Sequence, residues 1–181
     1  MRPSSSLILF LSLLGGLPLS ALHAAPAHVH GVSALELAIE GETLSIGMEA
    51  PLDDLLGFEH SPRTPAEQEA VRKMASTLRA ADKLFLPTAA AGCTLGEVKL
   101  SSSAIAPALL GEKGSAAATS DGHADLDAEF SFKCSKPAAL NRLRVALFEH
   151  FPGMKAVKLS LVGPRGQKAA RLDAASPEVR W

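Results

Sequence analysis

The sequence predicts an α+β fold: a mainly antiparallel sheet in ββα-ββα-ββ order, with two helices packed on one face. Three observations carry this expectation. Apolar and polar residues alternate over several short segments, the period of half-buried strands. Two longer stretches place apolar residues at helical spacing just behind a proline. The strand-like segments occur in neighbouring pairs joined by short turns, so hairpins dominate and most strand pairs run antiparallel.

The elements follow in order. Across residues 29–39, Val29, Leu35, Leu37 and Ile39 share one face, with Gly31 and Ser33 between them, while His28, His30, Glu36 and Glu40 share the other. Gly41 supplies a turn, and Leu44, Ile46 and Met48 continue the same period in a second strand. Pro51 ends this hairpin, and residues 52–56 suit a single helical turn. Thr64 and Glu67 form a capping box with Pro65 at the first helical position. The helix they open has Val71, Met74, Ala75, Leu78, Ala81 and Phe85 on one face, and Pro87 stops it. Residues 93–100 read as a third strand, with a phase change near Gly96 that suggests a bulge. Residues 101–121 are rich in Ala, Ser and Gly without periodicity, the composition of a flexible loop. In the fourth strand Ala124, Leu126, Ala128, Phe130, Phe132 and Cys134 face the core, and His123, Asp125, Asp127 and Glu129 face away. A second helix is expected from Pro137, with Leu140, Leu143, Leu147, Phe148 and Phe151 inward. Strands at residues 156–162 and 167–172 complete the pattern, joined at Gly163-Pro164-Arg165-Gly166.

Residues 1–24 have the form of a secretory leader: Arg2, an apolar stretch over 7–17 too short to span a bilayer, then small residues ending at Ala24. Cleavage after Ala24 leaves one domain over residues 25–181, with no later segment apolar enough to cross a membrane. Composition excludes further classes. Eighteen Lys and Arg against 19 Asp and Glu give a net charge of −1, without the basic footprint of a nucleic-acid binder. No Tyr and a single Trp leave no platform for stacking bases. The signatures of serine hydrolases, zinc proteases, P-loop enzymes and dinucleotide enzymes are all missing, so the chain is expected not to be an enzyme.

Cys93 and Cys134 are the chain's two cysteines, and an even pair in an exported protein reads as a disulfide, with two buried free thiols as the alternative. The bridge would close a loop of about 42 residues, worth roughly 4 kcal/mol as an upper bound.

The histidines carry the candidate chemistry. His28 and His30 are two apart, so on a strand both imidazoles project to the same side, away from the core, where they could reach one cation. His123 and Asp125 repeat this spacing, beside Asp127 and Glu129. Imidazole with carboxylate suits a borderline cation such as Zn²⁺, although a solvated polar face is the commoner meaning of such alternation. Glu59 and His60, in the loop before the first long helix, could supply further ligands if that loop folds over the strands. His150 is expected at a helix C-terminus, where an imidazolium is favoured by the helix dipole, and reads as structural.

Five segments occur in a recognisable order: Ala27-His28-Val29-His30-Gly31, Gly57-Phe58-Glu59-His60, Ala91-Gly92-Cys93, His123-Ala124-Asp125 running to Phe132-Lys133-Cys134, and Leu147-Phe148-Glu149-His150-Phe151-Pro152-Gly153. In these the chain resembles the ZrgA family of zinc-regulated periplasmic proteins. The resemblance implies a Gram-negative periplasmic protein that binds Zn²⁺ and assists zinc acquisition beside a zinc ABC importer. It points to His28, His30, Glu59, His60, His123 and Asp125 as the metal-ligating positions and supports the Cys93–Cys134 pair. One departure stands out. Such proteins usually carry a long His- and Asp-rich tract where this chain has residues 101–121, which hold no His and one acid before Asp121, Glu112. A single folded zinc site is therefore expected rather than a high-capacity loop. A metal-free envelope module that docks a transporter or another partner is the alternative.

Overall fold

The computed structural model describes residues 30–114 and 124–181. In chain order the elements are β1 (Val32–Glu40), β2 (Thr43–Pro51), α1 (Leu52–Leu56), α2 (Pro65–Arg79), β3 (Phe85–Pro87), β4 (Cys93–Ser101), α3 (Pro107–Leu110), β5 (Asp125–Cys134), β6 (Arg142–Val145), α4 (Leu147–His150), β7 (Ala156–Gly163), β8 (Gly166–Leu172) and β9 (Glu178–Arg180). Six strands form one sheet in the order β4-β5-β2-β1-β7-β8, and β3-β6-β9 form a small second sheet. Every pair is antiparallel except β1 with β7.

The α+β class and the mainly antiparallel pairing agree with the sequence. Alternation decides which face each strand buries. Leu35, Leu37 and Ile39 of β1, Leu44, Ile46 and Met48 of β2, and every even position from Leu126 to Cys134 of β5 lie in one core with Val71, Met74, Ala75 and Leu78 of α2. The capping box opens α2 as expected: Thr64 Oγ1 accepts from the Glu67 N–H, and Glu67 reaches back to the Thr64 N–H. The backbone N–H groups of Arg63 and Thr64 also hold the Glu67 carboxyl below its ordinary pKa. The β4–β5 register shifts between Leu95 and Val98, at the bulge expected near Gly96. Phe85 of the small sheet meets Phe130 of the large one, ring centroids 4.9 Å apart.

The element order departs from ββα-ββα-ββ in four places. The helix expected from Pro137 is instead a 3₁₀ turn, Pro137–Ala139, followed by β6 and the single turn α4. The spacing of Leu140, Leu143 and Leu147 fits a helix, but Leu143 and Val145 also alternate with Arg142 and Arg144, and a short apolar run does not choose between periods. Pairing of β6 with both β3 and β9 makes the choice. The first long helix stops at Arg79, and Phe85 enters β3 rather than the helix face. Part of the expected loop is ordered: β4 runs to Ser101 and α3 follows. The Arg79 guanidinium donates to the carbonyls of Val98 and Leu110 and to Glu112, and that hydrogen bond, with one from the Leu100 N–H, holds the Glu112 carboxyl below its usual range. Finally, β1 begins at Val32. Gly31 has φ +81°, a left-handed conformation that breaks the strand period, so His30 lies in a turn rather than on the strand.

The disulfide is formed between Cys93 and Cys134, which face each other directly across β4 and β5. It sits beside the β1–β2 hairpin turn, where the Cys134 N–H donates to the Glu42 carbonyl.

Candidate metal centre

At the other end of the large sheet lie the start of β1, the end of β2 and the starts of β5 and β7: Ala34 faces Glu49, Pro51 faces Asp125, and Val32 faces Ala156. The His30–Gly31 turn, α1 and the segment through Glu59 emerge there.

Gly31 is fixed on both sides of its peptide planes. Its N–H donates to Asp54 Oδ1 at 2.6 Å, and its carbonyl accepts from the N–H groups of Lys155 and Ala156, each at 2.9 Å. The Ser33 hydroxyl donates to Asp54 Oδ2 at 3.2 Å. Asp54 is only 3% exposed; burial pushes its carboxyl pKa up, and the two hydrogen bonds pull against that shift.

The neighbouring carboxylate of the same helical turn points elsewhere. His30 Nδ1 lies 3.1 Å from Asp53 Oδ2; the carboxylate accepts, so Nδ1 carries the proton. The chain then reverses at Gly57, which caps α1, and brings Glu59 back over the turn. Glu59 Oε1 stands 3.4 Å from His30 Nε2. The imidazole therefore lies between two carboxylates. They raise its pKa above the ordinary histidine value, the Asp53 hydrogen bond first and the Glu59 charge second, against a small opposing effect of burial.

Not every expected ligand joins this group. His60 stacks on Phe58 with ring centroids 5.0 Å apart, and its Nδ1–H donates to the Ser61 carbonyl at 3.0 Å, which leaves Nε2 with its lone pair. Glu59 and His60, adjacent in sequence, thus take different partners. Asp125 is half-buried at the start of β5, next to Ala124, whose carbonyl accepts the N–H of Leu52 at the start of α1. His28 and His123 lie outside the described residues. His150 is the exposed last residue of α4.

Asp53 and Asp54 were missed by pattern reading, which saw in Leu52-Asp53-Asp54-Leu55-Leu56 only a helical turn. The available signal was two adjacent acids directly after the strand that pairs with the histidine segment.

Chemically, the His30 arrangement offers two donors of the kinds that zinc takes, an imidazole nitrogen and a carboxylate oxygen. Histidines that bind zinc through one nitrogen usually donate the other N–H to a carboxylate, which fixes tautomer and orientation; here Asp53 plays that part. Two donors each 2.0–2.1 Å from a tetrahedral ion stand about 3.3 Å apart, close to the 3.4 Å between Nε2 and Oε1. Among the described residues no three His, Cys, Asp or Glu side chains are grouped to hold a metal ion. The physical reason at His30 is that Asp53 and Glu59 address opposite edges of the ring.

The family model described as ZrgA family zinc uptake protein matches residues 27–181. The chain belongs to the ZrgA family. The match takes in every described residue, including both ends of the large sheet. No curated protein matches the chain. Among the described residues of this ZrgA-family protein, no helix is long and apolar enough to cross a membrane.

Proposed function

We propose that this ZrgA-family protein is an exported, periplasmic zinc-binding protein that assists zinc acquisition and takes zinc as cargo at the His30 end of the sheet. The observation that carries the reading is the imidazole of His30, with Nδ1–H on Asp53 and Nε2 3.4 Å from Glu59. Nε2 and Glu59 supply two donors. Asp125, at the same end of the sheet, is the further donor among the described residues, and His28 and His123, the other histidines that the sequence puts forward, lie outside them. The family's zinc-uptake description points the same way. So does the leader-like segment over residues 1–24.

The role is binding rather than catalysis. His30 is half-exposed and Asp53 nearly so, whereas Glu59 is mostly covered. A site of nitrogen and carboxylate ligands that open to solvent exchanges its ion more readily than a closed thiolate cage. That property suits a carrier that passes zinc to an ABC importer.

Competition titration of the purified protein with a zinc-chelating dye tests the reading. One zinc per chain is expected, with His30→Ala or Glu59→Ala weakening binding by more than about 100-fold, since even an outer hydrogen-bond partner of a zinc ligand is worth about 10–100-fold. No binding by the wild-type protein would overturn it. The absence of a three-donor group among the described residues favours a second reading, a metal-free module that docks a transporter. Recovery of an envelope partner unaffected by chelator would support that alternative.

A further inference from the structure

We infer that Asp54 is a positioning residue: its buried carboxylate, acting through Gly31 and Ser33, sets where the His30 imidazole stands and thereby tunes the zinc site. What it tunes rests on the zinc reading above; the positioning itself does not.

Among the described residues, Ser33 and Asp54 are the buried polar ones, at 2% and 3% exposure, and they are bonded to each other directly beneath His30. A carboxylate placed there is costly unless it is fully hydrogen-bonded. An apolar side chain would fill the same volume in a helical turn whose other residues, apart from Asp53, are leucines. What an apolar residue cannot do is accept the Gly31 N–H. Gly31 precedes β1 and is the residue next to His30. With its N–H on Asp54 and its carbonyl on Lys155 and Ala156, the peptide carrying the imidazole is held against α1.

The backbone of Asp54 is itself held from the far side. A Cβ added to Gly153 would lie 2.5 Å from the Asp54 carbonyl oxygen and 2.9 Å from its carbonyl carbon and Cα, so only glycine permits this approach. The segment leading into β7 therefore presses on α1 while its next residues bind the Gly31 carbonyl. Adjacent carboxylates of one helical turn divide two tasks: Asp54 fixes the peptide behind the imidazole, and Asp53 fixes the ring.

Isotope-labelled protein with Asp54→Ala and Asp54→Asn tests this. The wild type is expected to show a nuclear Overhauser contact between the His30 ring and the Asp53 methylene. Asp54→Ala should lose that contact and bind zinc at least tenfold more weakly. Asp54→Asn should keep both, because its amide oxygen still accepts from Gly31 and the Ser33 hydroxyl can turn to accept from its NH₂. Asp54→Ala retaining contact and affinity would overturn the inference, as would Asp54→Asn losing both as fully as Asp54→Ala, which would make charge rather than position the cause. If the wild type binds no zinc, the zinc reading fails and the ring contact alone decides the positioning. If Asp54→Ala does not fold, Ser33→Ala replaces it: a weakened ring contact is expected, and a contact identical to wild type would overturn the inference.

Discussion

The two ends of the large sheet solve the same problem by different means. Both must fix the ends of neighbouring strands against one another. At the turn end β5 is joined covalently to β4 by the Cys93–Cys134 bridge, and the Cys134 N–H donates to the Glu42 carbonyl in the β1–β2 turn. At the opposite end the join is polar: Leu52 bonds to Ala124, and Asp54 holds Gly31 and Ser33. β2 alone, at nine residues, separates the ends by roughly 26 Å. One end is inert once oxidised. The other keeps exposed imidazole and carboxylate groups whose protonation and ligation can change. Stability and chemistry are thus placed apart, and each should yield to perturbation without disturbing the other.

The largest effect is expected from the covalent end. Cys93→Ala with Cys134→Ala should lower unfolding free energy by up to about 4 kcal/mol, read by denaturant titration, while zinc affinity changes less than twofold. A matching loss of zinc binding would show that the ends are not independent. A smaller effect separates Asp53 from the direct donors: Asp53→Ala should weaken zinc by about 10–100-fold without a comparable loss of stability.

Proton competition sharpens the contrast further. The folded pKa of His30 is raised by Asp53 and Glu59. Protonated His30 therefore stabilises the metal-free fold fully below the ordinary pKa of about 6.5, and this contribution is lost as pH rises through the raised value. Zinc must displace the Nε2 proton, so its affinity should fall by up to about tenfold per unit as pH drops below the raised value. Affinity that does not vary with pH across that range would remove His30 from the site.

Much of this was legible in the sequence, for identifiable reasons. β2, β5 and β7 announce themselves because each alternates over enough residues to fix its faces. The Thr64–Glu67 box marks the start of α2 to the residue, because capping is a local interaction. The region after Pro137 was misread because Leu140, Leu143 and Leu147 satisfy one period while Leu143 and Val145 satisfy another, and only pairing with the distant β3 and β9 decides. His30 and Glu59 were named from their residue types, but for a partly wrong reason: the same-side argument assumed a continuous strand through Gly31. Asp53 and Asp54 were invisible because their partners lie more than twenty positions back in the chain. Their roles come from the fold that brings α1 over the start of β1.

The central claim is that His30 Nε2 and Glu59 share one zinc ion while Asp53 holds the other side of the ring. Anomalous diffraction from crystals of the zinc-loaded protein, recorded on either side of the zinc absorption edge, tests it most directly. A single peak about 2.0–2.1 Å from both His30 Nε2 and a Glu59 carboxylate oxygen, with Nδ1 still on Asp53, is the expected result. A peak elsewhere, with the His30 ring undisturbed between its two carboxylates, would contradict it.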